Sequence, residues 1–287
     1  MIDVQIVAGR RPELLAECLR RVLDQADAVD QIFVANNTGS HLEAVDVTVV
    51  DLPAQTFEQN HNQLSKLGQS PFILFLDDDA FLFEGAIDTL LGKLRDDRGV
   101  AAVGGVNNQT FPVEAAPSIG SLDDFLAREP ACARIASQLR SAQAGVWAPR
   151  IFLPGNCLLV RRKVWQREFG GWDEGFRNWN EEVDFTAWCF ERGYRALCTP
   201  SVWFYHCQGQ SRTRAGLRDD MVTSSRRFVE KWPAERISRL TDLLRRQGEH
   251  RLVAELRILV ENNVRHLDPA AVEASEYVKA MHQAMSA

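Results

Sequence analysis

Residues 72–81, FILFLDDDAF, set five consecutive apolar residues directly before three aspartates. A short unbroken apolar run is what a strand buried on both faces requires, and such strands belong to parallel sheets covered by helices on either side. The aspartates mark the end of that strand. In open sheets of this kind, ligands bind beyond the carboxyl ends of the strands. Adjacent carboxylates repel, and partial burial adds to the cost of keeping them charged. A divalent cation removes the conflict, because Mg2+ and Mn2+ accept carboxylates together with phosphate oxygens and water. Asp77 and Asp79, spaced as D-x-D, are therefore candidate ligands for a metal–diphosphate. The competing reading is a solvated acidic turn that caps the next helix.

The surrounding sequence supplies the rest of such a sheet. Strand-like runs at 4–8, 31–37, 47–52 and 100–106 alternate with helical patterns at 11–25, 57–68 and 84–97. Pro12 stands where a first helical turn accepts it. This alternation predicts an α/β fold with a parallel sheet covered on both faces. Residues 108–150, with Pro112, Pro117, Pro130 and Pro149, predict a looser region around one helix. FLPGNCLLVRRKVW reads as a strand entering a helix. A helix follows from Glu181, then two strand-like stretches, ALCTP and VWFYH. Helical segments at 217–231, 234–247, 250–264 and 269–285 complete the chain, broken at Trp232-Pro233, Gly248 and Asp268-Pro269.

Several function classes are excluded early. The net charge of −6 argues against a general nucleic-acid surface. No apolar run approaches the roughly 20 residues of a membrane span. The opening MIDVQIVAGRRPE has no secretory-leader pattern, and six cysteines without C-x-x-C spacing read as reduced packing thiols. A cytoplasmic protein is the expectation.

The order of motifs then resembles family 2 glycosyltransferases, which have the Rossmann-like GT-A fold, an α/β/α sandwich. VAGRRPELL matches the family's opening, VANNTG its second strand end, and Asn62 an asparagine about fifteen residues before the aspartates. FILFLDDD matches the D-x-D strand, GNCLLVRR (155–162) the acceptor-side strand, and GGWDEGF the loop that follows. EEVD (181–184) matches the acidic helix start, and HCQGQS (206–211) the closing histidine motif.

The resemblance implies an inverting, metal-dependent transferase. It would take a nucleotide-diphosphate sugar, linked to uridine, thymidine or guanosine, and an acceptor hydroxyl on a glycan, lipid-linked glycan or small molecule. It implies Mn2+ or Mg2+ held by Asp77 and Asp79, with His206 as a third ligand, and Asp78 nearer the sugar. Donor contacts would come from Ala8, Gly9, Arg10, Asn36, Asn62, Asp77 and Asp78, and from Arg212 and Arg214 on a closing loop. Glu182 takes the place of the general base, where the family more often has Asp; Glu181 and Asp184 are the alternatives. Gly155, Asn156, Trp172 and Trp179 would face the acceptor. The catalytic domain would span 1–215 and a helical extension 216–287. Two other readings stay open: a sugar-1-phosphate nucleotidyltransferase, against which the single glycine of AGRRPE argues, and a non-catalytic binding domain, suggested by Asn36 and Glu182.

Between 226 and 257 nine basic and five acidic residues leave a charge of +4, beside a stripe of Ile237, Leu240, Leu243 and Leu244. Such helices either rest on an anionic membrane, here the inner face, or pack on the catalytic domain or a second subunit.

Overall fold

The structure is a computed structural model and describes residues 1–38, 42, 46–52, 55–113, 121–207 and 214–267. The strands are β1 (Ile2–Ala8), β2 (Val29–Asn36), β3 (Thr48–Asp51), β4 (Phe72–Asp77), β5 (Ala80–Phe81), β6 (Val100–Asn107), β7 (Ala148–Pro149), β8 (Cys157–Arg161) and β9 (Arg195–His206). The helices are α1 (Pro12–Leu23), α2 (Phe57–Leu64), α3 (Ala86–Asp96), α4 (Leu122–Ala142), α5 (Glu181–Glu191), α6 (Arg214–Lys231), α7 (Ala234–Arg246) and α8 (His250–Arg265). The strands form one sheet in the order β3-β2-β1-β4-β8-β6-β9-β5, with β7 on the flank of β9.

The apolar run behaves as its sequence requires. Leu74 and Leu76 point into one core with Val4 and Ile6 of β1 and with α1, α3 and α4. Ile73 and Phe75 point into a second core with α5 and the C-terminal helices. Period-two alternation thus feeds both layers, and each such side chain gains roughly 1.5–3 kcal/mol on burial.

Helix starts follow local chemistry. Pro12 occupies the first turn of α1, and Thr56 with Gln59 forms a capping box on α2. α4 is longer than the prolines suggest, passing through Pro130 from a Ser121–Asp124 capping box.

The sheet is mixed rather than parallel. β8 runs antiparallel between β4 and β6. The cause lies in the route: β6 ends at the carboxyl rim, and the excursion through α4 and β7 delivers the chain to β8 at that same rim. The returning strand must therefore run the other way, and residues 155 and 156 arrive beside Asp77. ALCTP and VWFYH are one strand, β9, whose pairing with β6 shifts register near Gly104.

Phe228 of α6, Trp232 at the turn after it, and Ile237, Leu240 and Leu244 of α7 share the second core with the sheet, so the predicted apolar stripe of α7 faces inward. No helix among the described residues is long and apolar enough to cross a membrane. All six cysteines are free and buried, and burial pushes the Cys157 and Cys207 thiols up to about 12. They pack and do not react. The predicted helix 269–285 lies outside the described residues.

Candidate active site

Asp77 ends β4. Asp78 and Asp79 turn the chain into β5, which pairs antiparallel with the end of β9 so that Ala80 stands opposite His206. Cys207 N donates to Asp79 O at 3.1 Å, closing the turn. One ligand atom from each of Asp77, Asp79 and His206 can be chosen so that all three lie within 4.8 Å of one another. His206 Nε2 is 3.0 Å from Asp79 Oδ1 and 3.6 Å from Asp77 Oδ2. The backbone of His206 is held by buried Asn108, which accepts from His206 N at 2.8 Å and donates to His206 O at 3.2 Å. On the ring's other side, Asn156 Nδ2 is 2.8 Å and Gln109 Nε2 is 3.4 Å from Nδ1.

Burial works against a charge on His206, but the Asp77 and Asp79 carboxylates outweigh it and raise its pKa to about 10. A divalent cation competes with that proton for the same nitrogen. Asp78 faces elsewhere. Its Oδ2 accepts from Gly9 N at 2.6 Å, tying the turn to the end of β1 beside Ala8. Burial raises Asp78 to about 7 against that hydrogen bond, with Asp79 and Asp77 adding to the rise.

Glu182 lies across the strap formed by Gly155 and Asn156. A Cβ on Gly155 would sit 3.4 Å from the Glu182 carboxyl carbon, so glycine leaves the acid room. Glu182 is half-buried, and its pKa is pushed up to about 7, first by burial and then by Asp77 and Glu58. Such a carboxyl can hold or release a proton near neutrality. Glu181 is buried beside it in the first turn of α5.

Other expected site residues do structural work. The Asp184 carboxylate receives Lys231 Nζ at 2.6 Å and Trp232 Nε1 at 2.8 Å, which joins α5 to α6. The Asn62 amide holds Trp172 through both backbone groups, N and O, at 2.9 Å each, and also donates to Glu174. Gly171 has φ +84° and a Cβ there would strike Asn62 Oδ1, which accounts for the glycine pair of GGWDEGF. Trp172 is buried against Phe75 and Trp165 and lies in the core. Trp179 is 40% exposed at the mouth of α5.

Asn36 reaches Asp51 Oδ1 at 2.7 Å, and its Oδ1 accepts from Thr38. Asp51 at the end of β3 is thus the acid at this corner of the rim, and the strand-end rule that singled out Asp77 applies equally to VTVVD. Gln109 and Asn108 carried no signal in the sequence, because they meet His206 only through the sheet. Arg10 is exposed beside the site. Arg214 opens α6, and Arg212 lies outside the described residues.

The model of glycosyl transferase family 2 matches residues 3–169, more than half of the 287-residue chain. The chain belongs to that family. No curated protein matches this glycosyltransferase. Among solved structures it is similar to the mannosyltransferase PcManGT from Pyrobaculum calidifontis, in complex with GDP-Man and Mn2+. That pair has TM-score 0.52 and 14% identity over 99% of this chain and 79% of the other. It is also similar to GalNAc-T7 with UDP, GalNAc and Mn2+, at TM-score 0.56 and 14% identity. The alignment there covers 99% of this glycosyltransferase and 57% of GalNAc-T7. At such identity the likeness speaks for the shared GT-A fold.

Proposed function

We propose that the chain moves a sugar from a nucleotide-diphosphate donor to an acceptor hydroxyl, with inversion and with a divalent cation. The observation that carries the reading is that consecutive residues touch two acidic groups: Asn156 contacts His206 of the Asp77–Asp79–His206 group, and Gly155 lies against Glu182. Two hard carboxylate oxygens with one imidazole nitrogen suit Mn2+ or Mg2+, and three protein ligands leave positions for phosphate oxygens. The Mn2+ named for both structural neighbours supports the same choice. Bound there, the cation supplies positive charge that eases departure of the nucleoside diphosphate.

The protein's own groups do the rest. Ala8, Gly9 and Asp78 form the donor edge of the rim, with Asn36 and Asp51 at its far corner. The donor base is uracil, thymine or guanine. Trp179 offers an exposed aromatic face to the acceptor. Glu182 accepts the acceptor's hydroxyl proton. The hydroxyl oxygen bonds to the anomeric carbon as the bond from that carbon to the diphosphate oxygen breaks, and the nucleoside diphosphate leaves with the electron pair. A base on one side of the sugar and a leaving group on the other is what inversion requires.

The test is release of nucleoside diphosphate from uridine-, thymidine- and guanosine-linked sugars with Mn2+. Asp79→Ala should abolish release while circular dichroism stays unchanged. Undiminished release by that variant overturns the reading.

A further inference from the structure

We propose that Glu58 and Asn263 are positioning residues that hold Trp179 as a platform for one ring of a saccharide acceptor. The inference rests on the transferase reading and narrows its acceptor to a glycan. It begins at residues 177–180, which lead into α5. Asn178 has φ +53° and Asn180 has φ +77°, and Trp179 stands between them, 40% exposed. Left-handed backbone is uncommon outside glycine, although asparagine adopts it more readily than most residues. It persists where the surroundings hold it, and such residues gather at ligand sites.

Three helices supply that hold, and each grips a different residue. On α2, the Glu58 carboxylate accepts from Asn178 N. On α6, Ser224 Oγ accepts from Arg177 N at 2.8 Å. On α8, Asn263 Oδ1 accepts from Asn180 Nδ2 at 2.7 Å, while Asn263 Nδ2 donates to Leu259 O at 2.9 Å. The second bond decides which end of the Asn263 amide faces the loop. Glu58, Ser224 and Asn263 are all buried. The loop is thus fastened on both sides of Trp179, and the indole itself is left facing outward. A side chain on a backbone already fixed loses little freedom when a ligand settles on it, which favours binding.

The place suits an acceptor. Asn180 O accepts from Asp184 N at 2.8 Å as α5 begins, and Glu182 is the second residue of that helix. A sugar ring resting on Trp179 therefore stands near the carboxyl that takes the acceptor's proton. The indole offers the C–H groups of such a ring a flat apolar face. Trp172, the other tryptophan expected at the acceptor, is closed in the core, so Trp179 is the one of the pair that a sugar can reach.

The experiment labels the whole chain with 5-fluorotryptophan and follows the Trp179 line by 19F NMR, assigned from its loss in Trp179→Phe. Methyl glycosides and disaccharides are titrated with Mn2+ and nucleoside diphosphate present, and calorimetry gives their affinities. At least one glycoside should move the Trp179 line. Trp179→Ala should weaken its binding about 3- to 10-fold, the worth of one aromatic face. Glu58→Ala and Asn263→Ala should each displace the Trp179 line in the free protein and weaken the glycoside by a similar factor. Both should keep Mn2+ affinity within a few-fold. Glu58→Gln, whose carbonyl still accepts from Asn178 N, should bind the glycoside like the unaltered chain. If Glu58→Ala does not fold, Asn263→Ala decides the point from α8. Unchanged glycoside affinity in the alanine variants would overturn the positioning role, as would Glu58→Gln binding as weakly as Glu58→Ala. A Trp179 line that no glycoside moves, in a chain that releases nucleoside diphosphate from a donor, would overturn the platform and leave the transferase reading standing. A chain that releases it from no donor would overturn that reading, and this inference with it.

Discussion

Gly155 lies directly against Glu182: a Cβ at 155 would stand 3.4 Å from the Glu182 carboxyl carbon. Alanine at that distance makes an ordinary contact, whereas a branched side chain must displace the acid. Gly155→Val should lower kcat about 100-fold, the cost of moving a reacting group by roughly 1 Å. Gly155→Ala should lose less than a tenth as much. Steady-state kinetics checks this, with melting curves showing that both variants remain folded.

Removing the Glu182 charge should slow the reaction yet stabilise the fold above neutral pH. Its folded pKa, about 7, lies above the ordinary 4.5. The folded chain therefore favours the protonated acid. That contribution is complete below 4.5 and is lost as pH rises through 7. Glu182→Gln, permanently neutral, should melt with the unaltered protein at pH 4 and above it by several degrees at pH 8. Its kcat should fall by 10²- to 10⁴-fold, the usual worth of a general base. In the unaltered enzyme kcat/KM should rise with pH toward a plateau. With Mn2+ bound, Asp77 no longer raises the Glu182 pKa as strongly, so the inflection should fall below 7.

Asp78 and Asp79 are neighbours with different duties, and cation binding should separate them. Asp79→Ala removes a ligand and should weaken Mn2+ binding by at least about 10-fold. Asp78→Ala removes only the acceptor of the Gly9 N–H and should cost about 1 kcal/mol of stability. Its Mn2+ affinity should stay within a few-fold of the unaltered value. Calorimetry and denaturant melts on the same samples distinguish the two.

The sequence made legible those features that are local. FILFL with its aspartates, Pro12 at the start of α1 and the acidic turn of α5 are each written within a few neighbouring residues. What escaped depends on where the chain returns. Nothing in CLLVR says that it runs antiparallel, because direction is decided by which rim the preceding excursion ends on. Asn62 reads as a donor residue until Trp172, 110 positions later, is seen to occupy its amide. Trp172 reads as a sugar platform until Phe75 and Trp165 are found against it. His206 and the aspartates were visible as residue types, but the amides that hold His206, Asn108 and Gln109 just after β6 and Asn156 just before β8, meet it only where strand ends converge.

The same distance in sequence hides the tie on which α5 depends. Asp184 is fully buried, and its carboxylate is met by Lys231 from α6. Lys231 also bonds Asp173, which Arg227 clamps on the same loop. Lys231→Met would leave the Asp184 charge buried, with Trp232 as its hydrogen-bond donor but no counterion. Breaking a buried pair in this way costs about 3–5 kcal/mol. Burial already raises the Asp184 pKa, opposed by Lys231. Without the lysine the folded pKa rises further, so the deficit should be small at pH 4 and grow toward pH 8. Asp184→Asn alone should cost less, since the amide can still accept from Trp232 Nε1. Added to Lys231→Met, it should recover much of the loss, and a double-mutant cycle from urea melts at the two pH values reads the coupling directly. Because α5 carries Glu182, Lys231→Met should also lower kcat under conditions where it remains folded. A Lys231→Met protein as stable as its parent at pH 8 would show that α6 does not hold α5.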